Sequence, residues 1–209
     1  MTALLGLFIH LGIPETPSPE SPVVIINGAS SSVGSFATQL AHLAGCKVVA
    51  IAGSAGDYAK ECGADIVVDY RGKNSKALAA AVKEAADSLG GSHLVYDAVS
   101  ELDTIQTMAD VIDTGKITVV IPGIEDKLQR KGIETPLTLV WTSHAEHKSF
   151  AKRWYKQLER WMVEGKFKPN KVQLVPGGLD GVPIGLGLLK NGQVSGKKLV
   201  YRVSETSGL

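Results

Sequence analysis

The 209-residue sequence predicts an α/β fold, a doubly wound parallel sheet with helices on both faces. Three observations carry this. Strand-like and helix-like stretches alternate from residue 22 onward, at roughly 20–30 residues per unit, the spacing of right-handed strand–helix–strand crossovers. The strand stretches are short apolar runs with little polar alternation, which suits strands buried on both faces. The first of them breaks at Asn27-Gly28 into three successive serines, Ser30, Ser31 and Ser32, just before a helical pattern begins.

The elements follow in order. "MTALLGLFIHLGIP" is apolar for roughly 13 residues, short of the roughly 20 that cross a bilayer, and has no basic leader. It reads as an amphipathic helix ending at Gly12. "PETPSPESP" reads as an extended connector, because each proline disfavours helix at the residue before it. "PVVIING" is a strand and "SSVGSFATQLAHLAG" a helix, with Phe36, Leu40 and Leu43 at helical spacing and Gly45 as its stop. "KVVAIAG", "DIVVDY", "SHLVYDAV" and "GKITVVIPG" are the next four strands. The helices "DYAKECGA", "SKALAAAVKEAADSLGG" and "ELDTIQTMADVI" separate them. An insertion near 124–142 follows, with one further strand expected at Leu137 to Trp141. Next comes a long helix carrying Phe150, Trp154, Leu158 and Trp161 on one face, which reads as core or subunit interface. "KVQLVPGG", a helix "LDGVPIGLGLLKNGQ" and a strand "KKLVYRV" close the chain. The organisation expected is a leading helix and connector over 1–21, a dinucleotide-binding domain over 22–203 with a returning C-terminal segment, and a tail over 204–209.

Composition removes several function classes. The formal net charge of +1 gives no electrostatic case for nucleic acid or an anionic membrane. Two cysteines, Cys46 and Cys62, cannot build a disulfide framework or a four-ligand zinc site, and point to a reducing, cytoplasmic setting. His144 and His147 could share a helix face but lack a third ligand, so no zinc is expected. No tyrosine is followed four residues later by lysine, which excludes the Tyr-x-x-x-Lys pattern of short-chain dehydrogenases. Neither G-x-S-x-G nor a P-loop lysine occurs.

The serine turn has a chemical reading. A helix that starts directly after a strand aims backbone N–H groups outward, with positive dipole charge behind them, and a diphosphate suits such a site. Small residues let the phosphate approach the backbone, and Gly34 would let the helix pack closely on the sheet. The run Ala29-Ser30-Ser31-Ser32-Val33-Gly34 departs from G-x-G-x-x-G at two glycines. Its place in the first strand–helix turn restores the Rossmann-type reading. At the end of the second strand, "AIAGSAGD" offers Ala52, Gly53, Ser54 and Ala55 but no acid for a ribose 2′-OH, and Asp57 falls too late. A small hydroxylated residue without a carboxylate suits a 2′-phosphate, so NADPH is expected over NADH. Lys60 or Arg71 could supply the charge.

"GASSSVGSFATQLAHLAG", "GADIVVDY" and "GLDGVPIGLGLLKNGQVSGKKLVYRV" resemble the medium-chain dehydrogenase/reductase superfamily. The likeness is to its zinc-independent enoyl reductase and quinone oxidoreductase-like branch, and to fungal trans-acting enoyl reductases that serve polyketide synthases. It implies that Ser30, Ser31, Ser32 and Val33 cradle the diphosphate. Gly53, Ser54 and Ala55 would face the 2′-phosphate, Tyr70 would contact the same phosphate or the adenine ribose, and Ile121 and Pro122 would line the nicotinamide side. Val194 and Ser195 would close over the cofactor. The reaction implied is hydride transfer to an activated C=C or a quinone, with a small-molecule or carrier-bound acyl substrate and a polyketide synthase as partner. Complete members carry an N-terminal GroES-like domain that contributes to the active site. Here "TALLGLF" begins at Thr2, so the resemblance covers the cofactor-binding half. Catalytic residues are therefore not assigned. Apolar surface is expected to be exposed at Leu4 to Phe8 and around Ile121, and a homodimer paired through the strand at Leu137 to Trp141. Two other readings stand beside this one: a non-catalytic nucleotide-binding scaffold, and a methyltransferase with a glycine-rich first turn. The "VSGKKLV" ending argues against the second.

Overall fold

A computed structural model of the chain describes residues 1–208. The chain divides into two compact units, Met1–Lys168 and Pro169–Leu209. In the first, β1 (Val23–Asn27), β2 (Lys47–Ala52), β3 (Ile66–Asp69), β4 (Leu94–Asp97), β5 (Gly115–Val119) and β6 (Ile133–Glu134) form one sheet in the order β3-β2-β1-β4-β5-β6. Every neighbouring pair in it is parallel. The helices between the strands are α2 (Ser32–Leu43), α3 (Gly56–Glu61), α4 (Ser75–Ser88) and α5 (Leu102–Val111), preceded by α1 (Thr2–Leu4) and followed by α6 (Lys148–Val163). This is the doubly wound, Rossmann-type arrangement expected from the sequence.

The unbroken apolar character of the strands has a direct cause. On β1, Val24 and Ile26 enter one core with α1, α2 and α6, while Val23 and Ile25 enter a second core with α4 and α5. Both faces of the sheet are covered, so neither parity of the strand is free to be polar. Each of the fully buried Val24, Ile25 and Ile26 contributes about 1.5–3 kcal/mol by leaving water. The alanine-rich α4 lies close on the second face through Ala79, Val82 and Ala86.

Three elements differ from the sequence expectation. The N-terminal helix is not amphipathic and its apolar run is not exposed: Leu4, Leu5 and Leu7 are 0% accessible. After one α-turn it widens into a π-helix over Leu5–His10. Tyr96 of β4 lies against it, donating its hydroxyl to the Thr2 carbonyl at 3.2 Å, and its ring leaves no room for a side chain at Gly6. Phe8 stacks on Trp154 of α6 with ring centroids 4.8 Å apart, a contact worth about 0.5–1.5 kcal/mol beyond its area. Burial also drives the Tyr96 phenol upward from its ordinary range. The aromatic face of α6 is thus core.

The strand expected at Leu137 to Trp141 is the second difference. β6 lies earlier, and Leu137 makes only an isolated bridge to Val119. From Val140 to His144 the chain forms a 3-10 helix, in which the Thr142 and Ser143 hydroxyls donate to the carbonyls of Leu139 at 2.8 Å and Val140 at 2.6 Å. Such local side-chain bonds offer the backbone an alternative to a ladder. The sheet ends in the two-residue strand β6. Third, His144 and His147 do not share a helix: His144 ends the 3-10 segment and His147 caps α6.

The second unit holds β7 (Val172–Leu174) and β8 (Lys198–Val200), paired in parallel, and α7 (Val182–Lys190) between them. Gly185 of α7 sits against the Tyr201 ring, and the Leu179 amide donates to the Thr206 hydroxyl at 2.9 Å. Ile184, Leu186 and Leu189 on α7 are exposed.

Candidate functional site

β1 lies between β2 and β4, so successive crossovers leave it toward one edge and return to build the other. The carboxyl ends of a parallel sheet open a crevice at such a reversal of strand order. Gly28 to Val33, Gly53 to Ala55, Tyr70 and Ile121-Pro122 all follow carboxyl ends of strands in this one sheet, on β1, β2, β3 and β5. From β3 to β5 the crest spans four strand spacings, roughly 19 Å.

The turn after β1 is tightly determined. Gly28 has φ +70, and a Cβ there would meet the Val99 side chain at 2.7 Å. The Ala29 amide is held by the Ile51 carbonyl at 3.0 Å, and the Ser31 amide returns to the Gly28 carbonyl at 2.8 Å. Ser31 is the N-cap of α2: its hydroxyl accepts from the Gly34 amide at 3.1 Å, and its carbonyl accepts from the Ser35 amide at 2.9 Å. The helical ladder starts there, so residues 32 and 33 lie ahead of it, at the positive end of the helix dipole. Gly34 is packed so closely that an added Cβ would fall on the Gly28 carbonyl oxygen. Ser31 and Ser32 are exposed, and Ser30 and Val33 half-buried. Small residues, oriented amides and a helix dipole come together at this point, the features that suit an anion.

The turn after β2 is looser. Gly53 is buried, Ser54 exposed and Ala55 half-buried, and Ala55 caps α3 without a side-chain bond. Tyr70 leans over Gly53, its hydroxyl 2.9 Å from where a Cβ would stand. Arg71 is not a free cation. Its guanidinium grips the Asp69 carboxylate, Nη2 to Oδ2 at 2.7 Å, and its amide adds a bond to Oδ1 at 2.9 Å. That guanidinium and amide hold the exposed Asp69 carboxyl down to about 2. Lys73 donates to the Asp69 carbonyl at 2.8 Å, and Lys60 is exposed on α3.

Sequence reasoning missed the polar knot at the end of β4. Asp97 is 0% accessible, and its carboxylate accepts from Asn27 Nδ2 at 2.8 Å, the Val99 and Ser100 amides at 3.0 Å each, and Thr104 Oγ1 at 2.7 Å. Ser100 is also fully buried. Its hydroxyl donates to the Asp97 carbonyl at 2.6 Å and accepts from the Val120 amide at 2.8 Å. The signal was an aspartate at the end of an apolar run, "LVYDAV", where a buried carboxylate must be matched by donors.

Beyond β5, Ile121 and Pro122 are exposed, Ile121 at 44%, as expected for that position. Val194 and Ser195 lie in the second unit, between α7 and β8. Among the described residues no three His, Cys, Asp or Glu side chains gather as a metal site. Cys46 and Cys62 are buried, and burial pushes the Cys46 thiol up to about 11, away from the thiolate a metal needs. Among those residues the donor set does not fit a zinc ion. No helix among them is long and apolar enough to cross a membrane.

With this geometry in view, the likenesses are consistent with one another. Residues 32–154 match the zinc-binding dehydrogenase family. The chain is 35% identical over 189 residues to the trans-enoyl reductase fsr4 of Gibberella fujikuroi, covering 84% of this chain and 55% of that protein. It is 31% identical over 214 residues to the trans-enoyl reductase ACTTS2 of Alternaria alternata, covering 95% and 60%. The chain therefore spans a little over half the length of these curated relatives. Among solved structures, CurA of Vibrio vulnificus in complex with NADPH superposes with a TM-score of 0.72 at 20% identity, over 95% of this chain and 60% of that one. A mutant enoyl thioester reductase of Candida tropicalis gives a TM-score of 0.68 at 20% identity, over 96% and 58%. At these identities the structural likeness establishes the fold.

Proposed function

Because the chain belongs to the zinc-binding dehydrogenase family, within the medium-chain dehydrogenase/reductase superfamily, we propose that it is the NADPH-binding part of a reductase acting on an activated C=C or a quinone. The observation that carries the reading is the turn after β1. At the strand-order reversal of a parallel sheet, Gly34 has no space for a Cβ against Gly28, and Ser31 caps a helix aimed at the crevice.

The residues divide the work. The backbone of Ser30, Ser31, Ser32 and Val33 holds the diphosphate. Gly53, Ser54, Ala55 and Tyr70 receive the adenosine end and its 2′-phosphate. Ile121 and Pro122 present an apolar wall that keeps water from the nicotinamide. The nicotinamide, when bound, supplies a hydride; the protein's share is to bind, orient and exclude solvent. The substrate class is an enoyl group on a carrier-bound acyl chain, with a quinone as the simpler acceptor. The names of the trans-enoyl reductase relatives support the first. A polyketide synthase presenting that chain is the corresponding partner, and the cytoplasm the corresponding compartment.

Thermal unfolding with each nucleotide tests the reading. At a concentration about 100 times Kd, NADPH should add about 2.7 kcal/mol of stability, and NADH at the same concentration clearly less. Equal shifts would remove the 2′-phosphate argument, and no shift with either would overturn the cofactor assignment. Binding without NADPH oxidation, with enoyl thioester or quinone supplied, would favour a nucleotide-binding scaffold instead.

A further inference from the structure

Ser100 has the one left-handed backbone conformation outside glycine among the described residues, at φ +58. A β-carbon in that region is unfavourable, and such residues persist where their surroundings over-determine them, often at functional sites. Glycine would hold the conformation without that cost. The hydroxyl is what serine adds, and it is fully used: it donates to the Asp97 carbonyl at 2.6 Å and accepts from the Val120 amide at 2.8 Å. One side chain thereby ties the end of β4 to the end of β5.

The same loop reaches the other way. Val99, the preceding residue, packs against Gly28 so closely that a Cβ there would stand 2.7 Å from its methyl group. Asp97 binds Asn27, the last residue of β1. Residues 97 to 100 therefore touch both the turn that would grip the diphosphate and the exit of β5 that leads to Ile121. Val120 is the first residue after β5, where ladder pairing has ended, and its amide is held by Ser100.

We propose that Ser100 is a positioning residue that fixes the β5 exit, Val120-Ile121, relative to the diphosphate turn, and so sets the seat of the nicotinamide ring. This rests on the NADPH reading above. It predicts an effect confined to one end of the cofactor. The adenosine end and diphosphate meet β1, β2 and β3; the ring alone meets the segment that Ser100 holds.

The test compares two ligands on the intact chain: NADPH, and 2′-phospho-ADP-ribose, which lacks the nicotinamide. Ser100→Gly keeps the backbone conformation accessible and removes the bridge. It should weaken NADPH about tenfold and leave 2′-phospho-ADP-ribose within about twofold, the tenfold loss being the size expected for one buried hydrogen bond. Hydrogen exchange supplies a readout without ligand: the Val120 amide should exchange at least about tenfold faster in Ser100→Gly, while ladder amides of β4 and β5 are unchanged. Should Ser100→Gly not fold, Ser100→Ala carries the same comparison, since it also lacks the bridge. Equal weakening of both ligands, or an unchanged Val120 amide, would overturn the positioning role while leaving the cofactor reading intact. Failure of the unaltered protein to bind either ligand would overturn both.

Discussion

The turns after β1 and β2 stand side by side in the sheet and are built by opposite means. In the first, three small residues have a structural reason: Gly28 faces Val99, Gly34 faces the Gly28 carbonyl, and Ser31 caps α2. In the second, α3 lacks a side-chain cap, Ser54 is exposed, and the neighbouring cation is already engaged by Asp69. Under the cofactor reading proposed above, the difference teaches that diphosphate binding would be set by the packing of the fold, whereas the choice of ribose phosphate would rest on a few surface groups. Changes to the first turn should therefore cost stability and all dinucleotide binding together. Changes to the second should alter preference and leave stability nearly untouched.

The hardest test of that contrast is Asp97→Ala, beneath the first turn. It strands the Asn27 amide and the Val99 and Ser100 backbone donors at a buried position, while the Thr104 hydroxyl keeps the Glu101 carbonyl as acceptor. Each unsatisfied buried donor costs about 1–3 kcal/mol, with some relief from rotation, so a loss of at least about 3 kcal/mol is expected from urea midpoints. A loss under about 1 kcal/mol would mean that the knot does not brace the turn.

A matched pair of glycine substitutions comes next. Gly34→Ala drives a methyl into the Gly28 backbone, which cannot retreat without moving β1 or α2. Overpacking of this kind costs about 1–3 kcal/mol, and binding of NADPH and NADH should fall together. Gly53→Ala first meets the Tyr70 ring and hydroxyl, on a half-exposed side chain that can swing away. Its cost should stay below about 1 kcal/mol. If calorimetry gave the two variants equal losses, the distinction between the turns would fail.

The sequence carried the first turn well because its information is local. Strand, small residues and helix are consecutive, and a doubly buried sheet leaves its mark as unbroken apolar runs. What stayed hidden depends on residues distant in the chain. The Asp97–Asn27 bond joins positions 70 residues apart, and the Ser100–Val120 bond joins positions 20 apart. Leu4 and Leu7 are buried in one core with Tyr96 and Trp154, which no window around residue 5 contains. The segment Leu137 to Trp141 misled for a different reason: its apolar run reads as strand, but hydroxyls at Thr142 and Ser143 redirect the chain into a tight helix. The commitment of Arg71 to Asp69 was equally unforeseen, although the two are near neighbours, because spacing alone does not say which cation is engaged.

That pair gives the smallest and most selective prediction. Arg71 sits one residue beyond Tyr70, which the proposed reading places at the 2′-phosphate, and its charge is paired with Asp69. Asp69→Asn removes the competing anion and leaves a surface cation, so NADPH affinity should rise about threefold while NADH is unchanged, and the gain should shrink as salt is added. The pH dependence follows from the depressed carboxyl. A group whose pKa is lowered on folding adds stability that is present above the ordinary carboxylate range and lost as pH falls through its folded value, here about 2. Between pH 5 and pH 9 Asp69 stays ionised, so this pair contributes no change in cofactor preference across that range. Titration calorimetry at two pH values in that window would settle the matter. An NADPH preference that grew near pH 5 in the unaltered protein, and lost that growth in Asp69→Asn, would show the carboxylate releasing Arg71 far above its expected pKa.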